Sequence, residues 1–208
     1  MDDAIQAVER GDTHVYCCGV GNVAQHRALS RAVGASTTLK RLVLRSTYMT
    51  DDAVAWWVSG VCASTTLQVL DLRCNGISSY GAARLARALK TSKTIRTFDL
   101  AYNNLSEKCA RSIADLVTTS PSLESLDLSY NRCMSSYVIS MLVRAAEDSA
   151  ALEVLELGDC RVQNQVERAL NCARARRALL GSAELLQDDG DHALAWRVAR
   201  FLVSNTQN

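Results

Sequence analysis

The chain has 208 residues, with 23 Lys+Arg against 22 Asp+Glu, and the formal charge of +1 excludes a strongly basic nucleic-acid binder or an acidic tail protein on composition alone. Hydrophobic residues make up 48%, which excludes wholesale disorder, and one proline with 5% aromatics argues for a helix-rich chain over an all-β sandwich. No run of 18 apolar residues is present to span a membrane, and the start, Met1-Asp2-Asp3-Ala4, has no basic leader. The expectation is a soluble intracellular protein, cytoplasmic in the first instance; cytoskeletal, ciliary and organellar assemblies stay open.

In chain order, residues 2–10, with Ile5 and Val8, read as a short N-terminal helical cap. Residues 13–37 read as one degenerate strand–helix unit. Its strand falls within Thr13 to Cys18, with His14 or Val15, Tyr16 and Cys17 in place of leucines, so its register is open. Its helix runs from Gln25 to Val33.

Five segments then align. They are Leu39-Lys-Arg-Leu42-Val-Leu44, Leu67-Gln-Val-Leu70-Asp-Leu72, Ile95-Arg-Thr-Phe98-Asp-Leu100, Leu123-Glu-Ser-Leu126-Asp-Leu128 and Leu152-Glu-Val-Leu155-Glu-Leu157. Their starts are separated by 28, 28, 28 and 29 residues. Three residues after the last apolar position comes Thr47, Asn75, Asn103, Asn131 or Cys160, and two further on Met49, Ile77, Leu105, Cys133 or Val162. This is the pattern L-x-x-L-x-L-x-x-N/C-x-L. The second half of each unit has one apolar helical face, as in Val54, Trp57, Val58 and Val61, then Ala82, Leu85, Ala86 and Leu89, then Ala110, Ile113, Ala114 and Val117. Thr50-Asp51-Asp52, Ser78-Ser79, Ser106-Glu107 and Ser135-Ser136 offer capping oxygens before the helices. The asparagines read as backbone-satisfying residues of the turn.

Beyond the last repeat, Val166, Leu170 and Cys172–Ala173 read as a helix covering the last strand. A further helix is expected from about residue 190 to 204, carrying Leu194, Val198, Phe201 and Leu202, with Gly190 as the break before it and Arg197 and Arg200 on its polar side. The fold class is therefore an α/β solenoid, with a parallel sheet inside, helices outside and helical caps. It reads as one domain over 1–208: a cap at 1–12, five to six repeats over 13–162, and a C-terminal cap over 163–208.

The repeat resembles the ribonuclease-inhibitor-like class of leucine-rich repeats, to which ribonuclease inhibitor, the Ran GTPase-activating protein, tropomodulin's C-terminal domain and the tails of NOD-like receptors belong. The resemblance covers roughly residues 13–175. It implies a curved solenoid and a protein partner on the sheet face or its rim. It also implies, as an alternative, regulation of a small GTPase.

Counting the first leucine of each unit as position 1, alternation sends positions 4 and 6 to the core and positions 3, 5, 7 and 8 to the inner face. Position 5 reads Val43, Asp71, Asp99, Asp127, Glu156. Positions 3 and 7 supply Arg41, Arg45 and Arg73 early, then Ala101, Ser129 and Gly158. The expectation is an inner surface basic toward its N-terminal end and acidic toward Asp127, Glu156 and Asp159. Asp71 and Asp99 read as solvated carboxylates. Position 8 places Tyr102 and Tyr130 on consecutive units as an exposed aromatic patch, since tyrosine is enriched at binding hot spots. Trp56 aligns with outward-facing Arg84 and Ser112, so it either faces a partner or lies between helices.

The run Arg174-Ala-Arg176-Arg177 is the one basic cluster, and it reads as a solvated cap face more than a nucleic-acid site. The histidines at 14, 26 and 192 fall in no triad or metal motif, and Gly19-Val-Gly21 is too short for a phosphate loop. No C-x-x-C occurs among the eight cysteines, so zinc is not expected, and they read as free buried thiols in a reducing compartment. The functional expectation is a non-enzymatic interaction scaffold or adaptor without cofactor or metal, bound stably into a larger assembly.

Overall fold

The computed structural model describes residues 1–131, 135–158 and 160–185, with side chains left aside at 160–163 and 179–185. The expectations at Cys133, at Asp159 and for the helix near 190–204 lie outside these residues, as do the side chains of Cys160 and Val162.

Six strands form one parallel sheet in sequence order: β1 (His14–Cys18), β2 (Arg41–Arg45), β3 (Val69–Asp71), β4 (Thr97–Asp99), β5 (Ser125–Asp127) and β6 (Val154–Glu156). Between and around them run α1 (Asp2–Glu9), α2 (Val23–Ala35), α3 (Asp51–Ala63), α4 (Ser79–Leu89), α5 (Ala110–Thr119), α6 (Ser136–Asp148) and α7 (Cys160–Leu185), with a short 3-10 turn at Glu107–Cys109 before α5. Each helix packs on the next, so every unit touches its neighbours along one axis. This is a leucine-rich repeat solenoid, in which no unit hides its apolar face alone.

The register aligns Val15, Leu42, Leu70, Phe98, Leu126 and Leu155 across the sheet. All six are buried, and the helix faces named above close over them. Burying each leucine contributes roughly 1.5–3 kcal/mol before entropy is counted. Pairing with β2 resolves the degenerate first unit: Val15 and Cys17 take the two core positions, while Tyr16 stands opposite Val43 on the inner face. Gly19 is then its position 8. It has φ +102, and Ser46, Cys74, Tyr102 and Tyr130 at the same position have φ between 52 and 56. The left-handed turn is a property of the repeat, met by glycine in one unit and by strained side chains in four.

The asparagines hold the turns together. Asn75 donates through Nδ2 to the carbonyls of Leu44, Leu72 and Arg73, and its Oδ1 accepts from the amides of Thr47 and Met49. Asn103 and Asn131 repeat the arrangement one unit further each time. Capping is mixed. Ser78 accepts from the Tyr80 amide and Ser135 from the Val138 amide, whereas Thr50 and Ser106 make no side-chain cap. Asp51 of the second unit accepts from the Ser78 amide of the third, tying one repeat to the next. Asn22 and Gln25 form a reciprocal capping box at the start of α2.

The first two units are joined by a buried pair. Trp57 Nε1 donates to His26 Nδ1 at 3.3 Å, which leaves His26 Nε2–H to donate to the Thr47 carbonyl, also at 3.3 Å. The two partners fix a neutral tautomer. Burial pushes the His26 imidazole below its ordinary value, against a smaller upward pull from Thr47. Close by, α2 and α3 approach so tightly that a Cβ on Gly60 would lie 2.3 Å from the Ser30 carbonyl oxygen.

Candidate functional site

The inner face is built from the odd positions of short parallel strands, so residues of neighbouring units stand roughly 4.8 Å apart along each column. In the position 5 column each aspartate first serves its own turn. Asp71 Oδ1 accepts from the Arg73 amide, Asp99 Oδ1 from the Ala101 amide and Asp127 Oδ1 from the Ser129 amide.

What happens to the remaining charge differs along the column. Arg45 pairs with Asp71 at 2.8 Å, and Arg73 reaches back to Asp71 at 3.3 Å and on to Asp99. Asp71 and Asp99 are therefore buried and paired, and the expectation that they are solvated is corrected. Their side chains are only 7% and 5% exposed beneath these pairs. The same geometry corrects the expected basic end, because Arg45 and Arg73 turn their charge onto this chain's own acids. Arg41 is half-buried and forms no ion pair among the described residues. Burial raises the Asp99 carboxyl above its ordinary value. The Ala101 amide opposes this, Asp71 and Asp127 add to it, and Arg73 opposes it. For Arg73, burial acts downward, but Asp99 and Asp71 together lift it.

Asp127 is half-buried and Glu156 is exposed, and neither has a cationic partner among the described residues. At position 8, the rings of Tyr102 and Tyr130 stack with centroids 4.2 Å apart and 12° between planes. They remain 49% and 65% exposed, so the stack does not remove them from solvent. Loss of hydration, then the neighbouring Tyr130 hydroxyl, holds the Tyr102 hydroxyl above its ordinary value. Gly158 follows at the next unit. A Cβ there would sit 3.1 Å from the Tyr130 amide nitrogen, so the two backbones pack closely at this turn.

The aromatic rim extends beyond the pair. Tyr48, Tyr80 and Tyr137 are also exposed, and all five tyrosines lie between a strand's end and the first helical turn that follows. Tyr16, exposed on the inner face of β1, joins no column legible from leucine spacing. Its signal was the alternation in His14-Val15-Tyr16-Cys17, which becomes readable only once β1 is paired.

Trp56 lies on the helix layer, away from the strand turns. It is 37% exposed, and the Arg27 guanidinium sits 4.4 Å over its ring. It is thus half-covered by the adjacent helix, between the two arrangements expected for it. In the basic cluster, Arg174 and Arg177 each reach Glu153 at 2.6 Å, and they donate to the backbone carbonyls of Glu153 and Leu152, just before β6; Arg176 pairs with Asp148 at 3.4 Å. These arginines fasten α7 to the residues leading into β6 and to the end of α6. None of the six described cysteines is in a disulfide. Cys17 and Cys109 are buried, but Cys18, Cys62 and Cys74 are exposed, which corrects the expectation of uniformly buried thiols.

The leucine-rich repeat family model matches residues 63–86 and 119–135. Among solved structures the chain is similar to the actin-binding site 2 of leiomodin-1, with a TM-score of 0.55 and 16% identity over 90% of this chain and 97% of that one. It is likewise similar to the tropomodulin C-terminal domain of Caenorhabditis elegans, with a TM-score of 0.50 and 16% identity over 88% and 98%. A comparison with curated protein sequences found no match. At this identity the likeness is one of fold.

Proposed function

The chain is a leucine-rich repeat protein, and from that premise we propose that it is a non-enzymatic interaction module, held as a subunit of a larger intracellular assembly. The observation that carries the reading is the stacked, exposed Tyr102–Tyr130 pair, together with two carboxylates on adjoining strands, Asp127 and Glu156, that have no cationic partner among the described residues. Rigid amphipathic rings gain contact area at low entropy cost, and carboxylates at their edge select the partner. The other four position 5 and 7 charges are already satisfied within the chain, so the contact face is the C-terminal half of the sheet and its tyrosine rim. Regulation of a small GTPase gains no residue from this geometry.

Purification from the native source in high salt tests the reading. A partner in stoichiometric amount is expected, and the Tyr102→Ala/Tyr130→Ala double variant loses it while remaining folded. Recovery of the wild type only as a monomer overturns the subunit reading. Actin is a first partner to assay by co-sedimentation, because the similar leiomodin-1 structure is an actin-binding site.

A further inference from the structure

The position 7 and position 5 columns are matched across the unit boundary. At the first step Cys18, at position 7 of the first unit, and Val43, at position 5 of the second, carry no charge. Arg45 of the second unit pairs with Asp71 of the third, and Arg73 of the third with Asp99 of the fourth. The next two steps would be Ala101 with Asp127 and Ser129 with Glu156. There the cation is missing and the carboxylate remains. Asp127 takes the Ser129 amide on Oδ1; among the described residues its other oxygen has no hydrogen bond, and the Glu156 side chain accepts none. Each missing arginine thus leaves one acid without a cationic partner among the described residues; the two are register partners, and Asp127 lies three residues before Tyr130 in the same unit.

We propose that a partner protein supplies these cations: an arginine-bearing segment docks on the inner face with guanidinium groups against Asp127 and Glu156 and along the Tyr102–Tyr130 rings. The proposal rests on the reading of this face as the contact surface and adds the chemistry of its occupant. The chain's own Arg45 and Arg73 are the template, since they solve the same problem two units earlier. Charge complementarity selects a basic segment over an acidic one or a nucleic acid. Arginine is favoured over lysine because its planar fork can engage a carboxylate while its face lies on an aromatic ring.

The test is an NMR titration of the isotopically labelled full chain with a capped glycine–serine peptide carrying two arginines. Amide shifts are expected at residues 101–102, 127–130 and 156–158. Replacing the arginines by citrulline, which has nearly the same shape without the charge, should weaken binding about fivefold or more, the ratio that ~1 kcal/mol represents. Ser129→Arg builds the missing rung into the chain. It should leave the fold intact and weaken the peptide by a similar factor, as should Asp127→Asn, whose side-chain oxygen still accepts the Ser129 amide. Equal binding of the citrulline peptide, shifts elsewhere, no shifts at millimolar peptide, or indifference to Ser129→Arg overturns the proposal. If the tyrosine double variant nevertheless sheds the native partner, the contact face stands and only the guanidinium chemistry falls. If neither variant affects that partner, both fall.

Discussion

The third and fourth units and the fifth and sixth carry a carboxylate at the same repeat position on strands in the same register, yet they present opposite surfaces. In the earlier pair Arg45 and Arg73 lie across Asp71 and Asp99 and seal them from water. In the later pair alanine and serine stand where the arginines were, and Asp127 and Glu156 have no cationic partner among the described residues. Repeat position alone therefore does not assign a role. The neighbour one unit back decides whether the same carboxylate is a structural rung or a contact group.

The two regions should be alike in their core, and this is where the largest effects lie. Leu70→Ala and Leu126→Ala each remove a fully buried side chain and should each cost about 2–5 kcal/mol in urea unfolding. A loss well under 1 kcal/mol in either half would break the symmetry of the stack. The regions should then part company in their charges. Arg73→Ala leaves Asp99 buried without its cation and should cost about 1–3 kcal/mol, the lower end reflecting the partial exposure of Arg73. Asp127→Asn, with no ion pair to lose, should stay within about 0.5 kcal/mol. Equal costs would erase the distinction between sealed and open rungs.

Acid should separate the regions further, with two groups acting in opposite directions. His26 has a folded value below its ordinary 6.5, so below that pH the unfolded chain binds the proton that the folded chain refuses. Stability contributed by its neutral form is complete above about 6.5 and is lost as pH falls from there toward the depressed folded value. A melting temperature that drops on mild acidification, and drops less in His26→Gln, is the expected outcome. Asp99 runs the other way. Its folded value lies above the ordinary 3.8, so its burial penalty is relieved as pH falls through that raised value. Arg73→Ala should widen that window upward. The smallest effect belongs to the helix layer: Arg27→Ala should cost about 0.5–1 kcal/mol and red-shift the Trp56 emission.

Much of this was legible in the repeat. Leucine spacing fixed which residues share the buried file, and the asparagines announced their turns, because both are dictated by the backbone of each unit. The ion-pair rungs were not legible. They depend on where a long arginine side chain swings across a unit boundary, so Asp71 and Asp99 read as solvated in a one-dimensional pattern. The His26–Trp57 pair was hidden for a similar reason: its partners are 31 residues apart, and one belongs to the unit whose strand has no leucine. Trp56 was readable as outward-facing but not as roofed by Arg27, which comes from the preceding helix. The tyrosine rim was half legible, since Tyr102 and Tyr130 fall at a shared position while Tyr48, Tyr80 and Tyr137 do not.

Carboxylate footprinting tests the difference between the two regions most directly. The free protein and its native complex would be treated with a carbodiimide and an amine nucleophile, and the sites read by mass spectrometry. In the free protein Asp127 and Glu156 should label readily while Asp71 and Asp99 resist, and in the complex Asp127 and Glu156 should become protected. Labelling of all four alike in the free chain, or labelling of Asp127 and Glu156 undiminished in the complex, would contradict the account.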